Sequence, residues 1–282
     1  MSVKHIERGP VVEINQDEQD LLDQLPPDGS VVGNRTLQRS LHWRDSRYWT
    51  VRDSLVDKGL IARGRGRGGS VRIIEIGNVA DTVRVPVSVG IDSVAGAGDQ
   101  IESAVRREIE LYTPMADVIR QDWARDRRAS PLAVEVTALQ GRRVTGGIWS
   151  RPDIVSVELK TYDYVPGKYL EIVTFEVKHI DAVNVQAVYE ALSRRRNATR
   201  SNVLIYAPNL TFEDLYPMIA EPLAVARSHG IGLIVADKPD DYDTWDEWED
   251  ARRFEPDPSS LDEFIKTQLS ESTRDKIARG LR

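Results

Sequence analysis

Asp153, Glu176 and Lys178 are the residues of this sequence best suited to do chemistry. Asp153 follows Pro152 and opens the β-branched run Ile154-Val155-Ser156-Val157, and Glu176 and Lys178 flank Val177 in a second apolar run. A strand alternates its side chains, so Glu176 and Lys178 share one face while Phe175 and Val177 take the other. A hairpin through Val165-Pro166-Gly167-Lys168 brings this strand beside the one that carries Asp153. Two carboxylates and one ammonium then converge at neighbouring strands. Carboxylate oxygens suit hard Mg2+, with Mn2+ as a substitute. Such an ion polarises a phosphate and lowers the pKa of bound water, while a lysine positions the nucleophile or neutralises charge. The plainer alternative is a solvent-facing strand whose Glu and Lys screen each other.

Elements that could position these groups surround them. The apolar periodicity predicts a helix over 99–127 and strands near 132–139, 147–159 and 169–179. A helix over 181–197, a strand over 202–207, a helix over 212–229 and a strand over 231–236 follow. This order predicts the α/β class, a mixed sheet with helices on both faces. In the first helix Ile101, Val105, Tyr112, Met115 and Ile119 form an apolar face. Glu108 falls on that face and Glu110 is turned away from it. A carboxylate directed at a core is costly unless it meets a metal or a partner. Glu108 is therefore a candidate metal ligand beside Asp153 and Glu176, or else a residue that snorkels at the edge of the stripe or pairs with an arginine. Arg194 and Arg195, in the run Arg194-Arg195-Arg196, suit DNA phosphate contacts beside the site or form plain surface.

Pro-Asp, then Glu-x-Lys after a hairpin, then a helix bearing Gln186 and Tyr189, resembles the PD-(D/E)XK nuclease superfamily. The likeness is to its restriction-endonuclease-like, Mrr-like branch and spans about residues 99–237, where the element order agrees with that family's αβββαβ core. It implies a magnesium-dependent DNA endonuclease, a hydrolase of phosphodiester bonds acting in restriction, defence or repair. It also implies that Asp153, Glu176 and Lys178 are the metal and catalytic residues, and that Gln186 helps to orient the site. The family's Gln-x-x-x-Tyr pattern would place a tyrosine at 190, where this chain has Glu190; Tyr189 comes one residue early.

Upstream, three short helical patterns are followed by two short strands joined by Arg63-Gly64-Arg65-Gly66-Arg67-Gly68-Gly69. That order resembles a winged helix-turn-helix over about residues 15–76, whose third helix would enter a DNA major groove. Arg44, Arg47 and Arg52 would lie on or near the third helix, and Arg63, Arg65 and Arg67 on the wing. Glycines between the wing arginines let the backbone approach phosphates. A winged helix used for protein contacts is the alternative. The expected organisation is a DNA-binding domain over 1–78, a linker over 79–98, a nuclease domain over 99–237 and an acidic extension over 238–282 packed on it. Two tryptophans, Trp245 and Trp248, argue for that packing.

Composition agrees with this division. The chain has 282 residues and a net charge of −7, yet the charge is uneven. Between Ser30 and Glu75 there are ten Lys/Arg against four Asp/Glu, and between Asp237 and Asp257 ten acids against three bases. Local fields matter more to a partner than the global sum, so duplex DNA is the expected partner; a homodimer is a further expectation. With no cysteines, disulfides, thiolate catalysis and cysteine–zinc sites are excluded. There is no Gly-x-x-x-x-Gly-Lys loop, so no nucleotide cofactor is expected. No apolar run approaches a membrane span, and residues 1–8 lack a secretory pattern, so the cytoplasm is the expected compartment. A DNA-binding regulator with a catalytically silent nuclease fold, or an RNA nuclease, are the alternative functions.

Overall fold

Apolar, β-branched runs in the second half of the chain pair edge to edge because helices cover them on both faces. The computed structural model describes residues 14–27, 29, 31–64, 69–74, 98–139 and 151–282. The first part carries α1 (Gln16–Asp23), β1 (Val32–Gly33), α2 (Asn34–Leu41), α3 (Asp45–Asp57), β2 (Ile61–Arg63) and β3 (Ser70–Ile73). α4 (Gly98–Val118) then runs through a π-helical turn (Ile119–Trp123) into the short α5 (Ala124–Asp126). There follow β4 (Pro131–Val136), β5 (Ile154–Lys160), β6 (Tyr169–His179), α6 (Val185–Ser193), β7 (Arg200–Tyr206) and α7 (Phe212–His229). β8 (Gly232–Ala236), β9 (Trp245–Glu249), α8 (Pro258–Gln268) and α9 (Glu271–Leu281) complete the order. The expected linker as far as residue 97, residues 147–150 of the strand expected over 147–159, and Arg65 and Arg67 lie outside the described residues.

The protein is mixed α/β, with a three-stranded antiparallel sheet ordered β1-β3-β2 and a six-stranded sheet ordered β4-β5-β6-β7-β8-β9. In the larger sheet β4, β5 and β6 are antiparallel, β6, β7 and β8 are parallel, and β9 returns antiparallel to β8. Met115, Ile119 and Trp123 pack on one face against Ile154, Phe175 and Val177. Trp123 meets Phe175 edge-on, with ring centroids 5.3 Å apart, a favourable aromatic geometry. α6 and α7 cover the other face over Val203, Ile205 and Val235. At one end Phe264, Leu269 and Ile277 of the final helical region close over Val155, Val157 and Ile172.

The acidic stretch after Ala236 forms β9, where the sequence pattern predicts no strand. Trp245 joins the cluster beneath α4 and Trp248 the cluster on the opposite face. Asp246 and Glu247 between them are also buried. A strand covered on both sides loses the period-of-two signature that would reveal it.

The N-terminal elements share an apolar cluster with the larger sheet, joining Leu21, Leu37, Tyr48 and Leu55 to Leu215, Leu223 and Trp248. Polar contacts fix the seam: Arg39 pairs with Asp237, and the Phe212 amide donates to Ser40 Oγ at 3.0 Å. β1 also lies so close to β9 that a Cβ on Gly33 would fall 1.7 Å from Asp246 Oδ2.

Within the N-terminal part, buried Glu18 ties α1 to α3. Asn15 Oδ1 accepts from the Glu18 amide at 2.9 Å while Glu18 Oε2 accepts from the Asn15 amide at 2.8 Å, a reciprocal cap. The same carboxylate takes hydrogen bonds from Lys58 Nζ and Ser54 Oγ, each at 2.6 Å. The Lys58 bond, aided by Ser54, holds the Glu18 carboxyl down at about 2, below its ordinary 4.5. A depressed carboxyl stabilises the fold fully above its unfolded pKa and loses that contribution as pH falls through the folded one. Glu18→Gln should therefore cost about 1.5–3 kcal/mol at neutral pH, the range for hydrogen bonds to a charged group. In denaturant melts the wild-type and variant stabilities should converge between about pH 4.5 and 2. A difference that stays constant over that window would remove Glu18 from this role.

Candidate active site

The hairpin register determines what stands beside what. Ile154 is opposite Phe175, so Asp153, one residue before β5, comes level with the C-terminal end of β6. The Asp153 amide donates to the Phe175 carbonyl at 3.1 Å, and Asp153 Oδ2 accepts from the Val177 amide at 2.8 Å. Tyr112, on α4, also hydrogen-bonds the Asp153 carboxylate. Thr137 donates to the carbonyl of Pro152, fixing the turn into the strand. Burial drives the Asp153 carboxyl upward, against the Val177 amide, Lys178, Tyr112 and Arg194, which favour the anion.

Glu176 and Lys178 project together from β6. Lys178 Nζ lies 3.2 Å from Glu176 Oε1 and 3.3 Å from Glu190 Oε2. Arg194 Nη2 lies 3.9 Å from Glu176 Oε2. Burial, then the charge of Asp153, pushes the Glu176 carboxyl well above the usual carboxylate range. Burial acts to lower the Lys178 pKa, but the charges of Glu176, Glu108, Glu190 and Asp153 outweigh it and raise it. Lys178 is thus held as an ammonium among carboxylates.

Glu108 reaches the same end of the sheet from α4. It accepts a hydrogen bond from the His179 backbone amide, and it feels the charges of Lys178, Asp153 and Glu190; burial raises its carboxyl. Glu110 is exposed. Gln186 Nε2 donates to Glu190 Oε1 at 3.2 Å, so it meets the cluster through Glu190. Tyr189 is exposed and lies against His229, with ring centroids 6.1 Å apart.

Three members of this cluster escape the sequence pattern. Tyr112 looks like one more apolar residue of the α4 stripe. Arg194 looks like part of a surface charge run, yet it is 6% exposed and turned toward Glu176. Glu190 looks like a misplaced position of a familiar motif. Only the Gln186–Glu190 spacing of four, which puts both on one face of α6, hints at a partnership.

The remaining basic candidates lie elsewhere. Arg195 donates to the His229 carbonyl at 2.9 Å, and its guanidinium sits 3.1 Å from the Phe254 ring centroid. Arg44 is exposed at the start of α3. Arg47 pairs with Asp17 at 2.7 Å and covers Trp43. Arg52 pairs with Asp53 and covers Trp49, and Arg63 reaches the same Asp53 at 2.9 Å.

Among the described residues, Glu108, Asp153, Glu176 and Glu190 thus face only Lys178 and Arg194 as compensating cations in this cluster. Among the same residues no three His, Asp or Glu side chains form a ready-made ion cage. Yet the buried Glu176 Oε2 accepts no hydrogen bond, and a buried acceptor left unmade is costly. An all-oxygen donor set with excess negative charge fits a hard divalent cation. No protein-family model and no curated protein matches the chain.

Proposed function

We propose that the protein is a magnesium-dependent endonuclease of the PD-(D/E)XK kind, with α1–α3 and the β1–β3 sheet serving as a winged helix-turn-helix that holds duplex DNA. One observation carries this reading: Asp153 and Glu176, buried beside each other on neighbouring strands, gather with half-buried Lys178 and Glu108 in a cluster that holds more carboxylates than cations. Asp153, Glu176 and Glu108 would hold the ion. When bound, it supplies Lewis-acid polarisation of the scissile phosphate and an acidified water. The chain's own groups do the rest. Tyr112 and the Val177 amide fix the Asp153 carboxylate, and Lys178 brings a protonated ammonium to balance charge that develops on phosphate oxygens.

Duplex DNA as the substrate rests on the basic N-terminal block. Arg47 and Arg63 are half-exposed in their ion pairs with Asp17 and Asp53. Exposed pairs are worth only about 0–1 kcal/mol, so a DNA phosphate can replace those carboxylates at little cost.

A plasmid-nicking assay with and without Mg2+ tests the activity. Lys178→Ala and Asp153→Ala should abolish nicking while the fold persists; wild-type nicking by Lys178→Ala in Mg2+ would refute the site. Glu108→Gln should impair nicking and Mg2+ affinity, whereas Glu110→Gln should be nearly silent. The reverse ranking would reassign the ligand on α4.

The reader is tested separately by salt. Replacing Arg63, Arg65 and Arg67 with Ala should weaken DNA binding and reduce the log–log salt slope by about 2–3, at roughly 0.9 for each phosphate no longer neutralised. An unchanged slope would give the wing to protein contacts.

A further inference from the structure

Glu190 stands where the family resemblance would place a tyrosine, and its contacts give that position a different use. Its Oε2 lies 3.3 Å from the Lys178 ammonium. One helical turn earlier, Gln186 Nε2 donates to Glu190 Oε1 at 3.2 Å. The two oxygens therefore serve an amide that orients the carboxylate and an ammonium that it orients, and the same carboxyl is also hydrogen-bonded to Glu176. Side-chain exposure rises from 6% at Glu176 through 18% at Lys178 to 30% at Glu190. The ammonium is strung between a buried carboxylate and a more open one.

We propose that Glu190 is the positioning residue for Lys178, holding its ammonium in the site when Glu176 turns its oxygens to a divalent cation. This role rests on the nuclease function proposed above. Metal-free, Glu176 and Glu190 share the hold on Lys178. A divalent ion on Glu176 would cancel much of that attraction and repel the ammonium directly, since Coulomb forces between close charges are strong away from bulk water. Lysine has a flexible four-carbon stem, so it would swing outward unless a second anion kept it. Glu190, on α6 and braced by Gln186, is that anion. A tyrosine at 190 would be neutral at ordinary pH and could not counter the repulsion.

Three readouts on Glu190→Gln and Glu190→Asp, with Lys178→Met and Glu108→Gln as references, test the proposal. The first is the lysine ammonium 1H–15N spectrum without and with Mg2+, which works whether or not the protein cuts DNA. The Lys178 signal, assigned by its loss in Lys178→Met, should be visible in the wild type in both states; Glu190→Gln should weaken it without metal, where Glu176 still holds the ammonium, and lose it with Mg2+, and Glu190→Asp should partly restore it. The second is nicking: Glu190→Gln should lower kcat about a hundredfold, the scale of a misplacement of about 1 Å, and leave KM within about twofold. The third is Mg2+ affinity by calorimetry, which Glu190→Gln should leave near wild type while Glu108→Gln weakens it. A Lys178 signal absent from the wild type, or unchanged in Glu190→Gln, overturns the proposal. So does a loss of Mg2+ affinity as large as that of Glu108→Gln, because Glu190 would then be a ligand. If the wild type nicks nothing while the ammonium spectrum behaves as expected, the Lys178–Glu190 hold stands and the nuclease function falls.

Discussion

Asp153 and Glu176 are each more than nine-tenths buried, at the same end of two hydrogen-bonded strands. Like charges withdrawn from water resist ionising together, and the surrounding structure is arranged around that conflict. The register of β5 on β6 creates it, because Ile154 opposite Phe175 leaves Asp153 level with the Glu176 end. α4 must then cross the strand ends to deliver the Tyr112 hydroxyl to Asp153 and the Glu108 carboxylate to the His179 amide. α6 must start just beyond β6 to bring Glu190 to Lys178, and the 3-10 turn that follows it carries Arg194 to Glu176.

A second buried glutamate on β6 shows how this fold satisfies a carboxylate when nothing else is asked of it. Glu171 is 2% exposed. Its Oε2 accepts from Arg200 at 3.0 Å and Thr199 at 2.9 Å, and its Oε1 from Arg253 at 2.7 Å. Five residues along the same strand, Glu176 has one oxygen on Lys178 and another that accepts nothing. The contrast within one strand places the unused acceptor capacity at the end where Asp153 and Glu108 also gather.

Much of the sheet was legible in sequence because β5 and β6 are flanked by clear turns and carry β-branched runs. The period of two put Glu176 and Lys178 on one face, and the helical phase of Ile101, Val105, Tyr112 and Met115 separated Glu108 from Glu110. What stayed hidden did so for physical reasons. β9 has both faces buried, so Trp245-Asp246-Glu247-Trp248 shows no alternation. Arg194 gains its meaning from a 3.9 Å approach to a residue eighteen positions earlier, which no local pattern encodes. Gly33 is required by contact with Asp246 across the seam, although its φ of −66° suits any residue. Arg47 and Arg63 were legible as members of a basic block, but not as partners of Asp17 and Asp53.

On the function proposed above, the charge imbalance at Glu176 is there to be met by a divalent cation. A raised folded-state carboxyl pKa makes ionisation in the fold costly, so stability falls as pH rises above the unfolded value of about 4.5. At neutral pH that cost should vanish either when Mg2+ binds or when the charge is removed. Thermal melting of wild type and Glu176→Gln, each with and without Mg2+, reads both at once. The wild type should gain stability on adding Mg2+, by about 2.7 kcal/mol at a hundredfold excess over Kd. Glu176→Gln should melt above the wild type without metal and respond little to Mg2+. A wild type that melts identically with and without Mg2+, or a Glu176→Gln variant that melts lower without metal, would contradict the account.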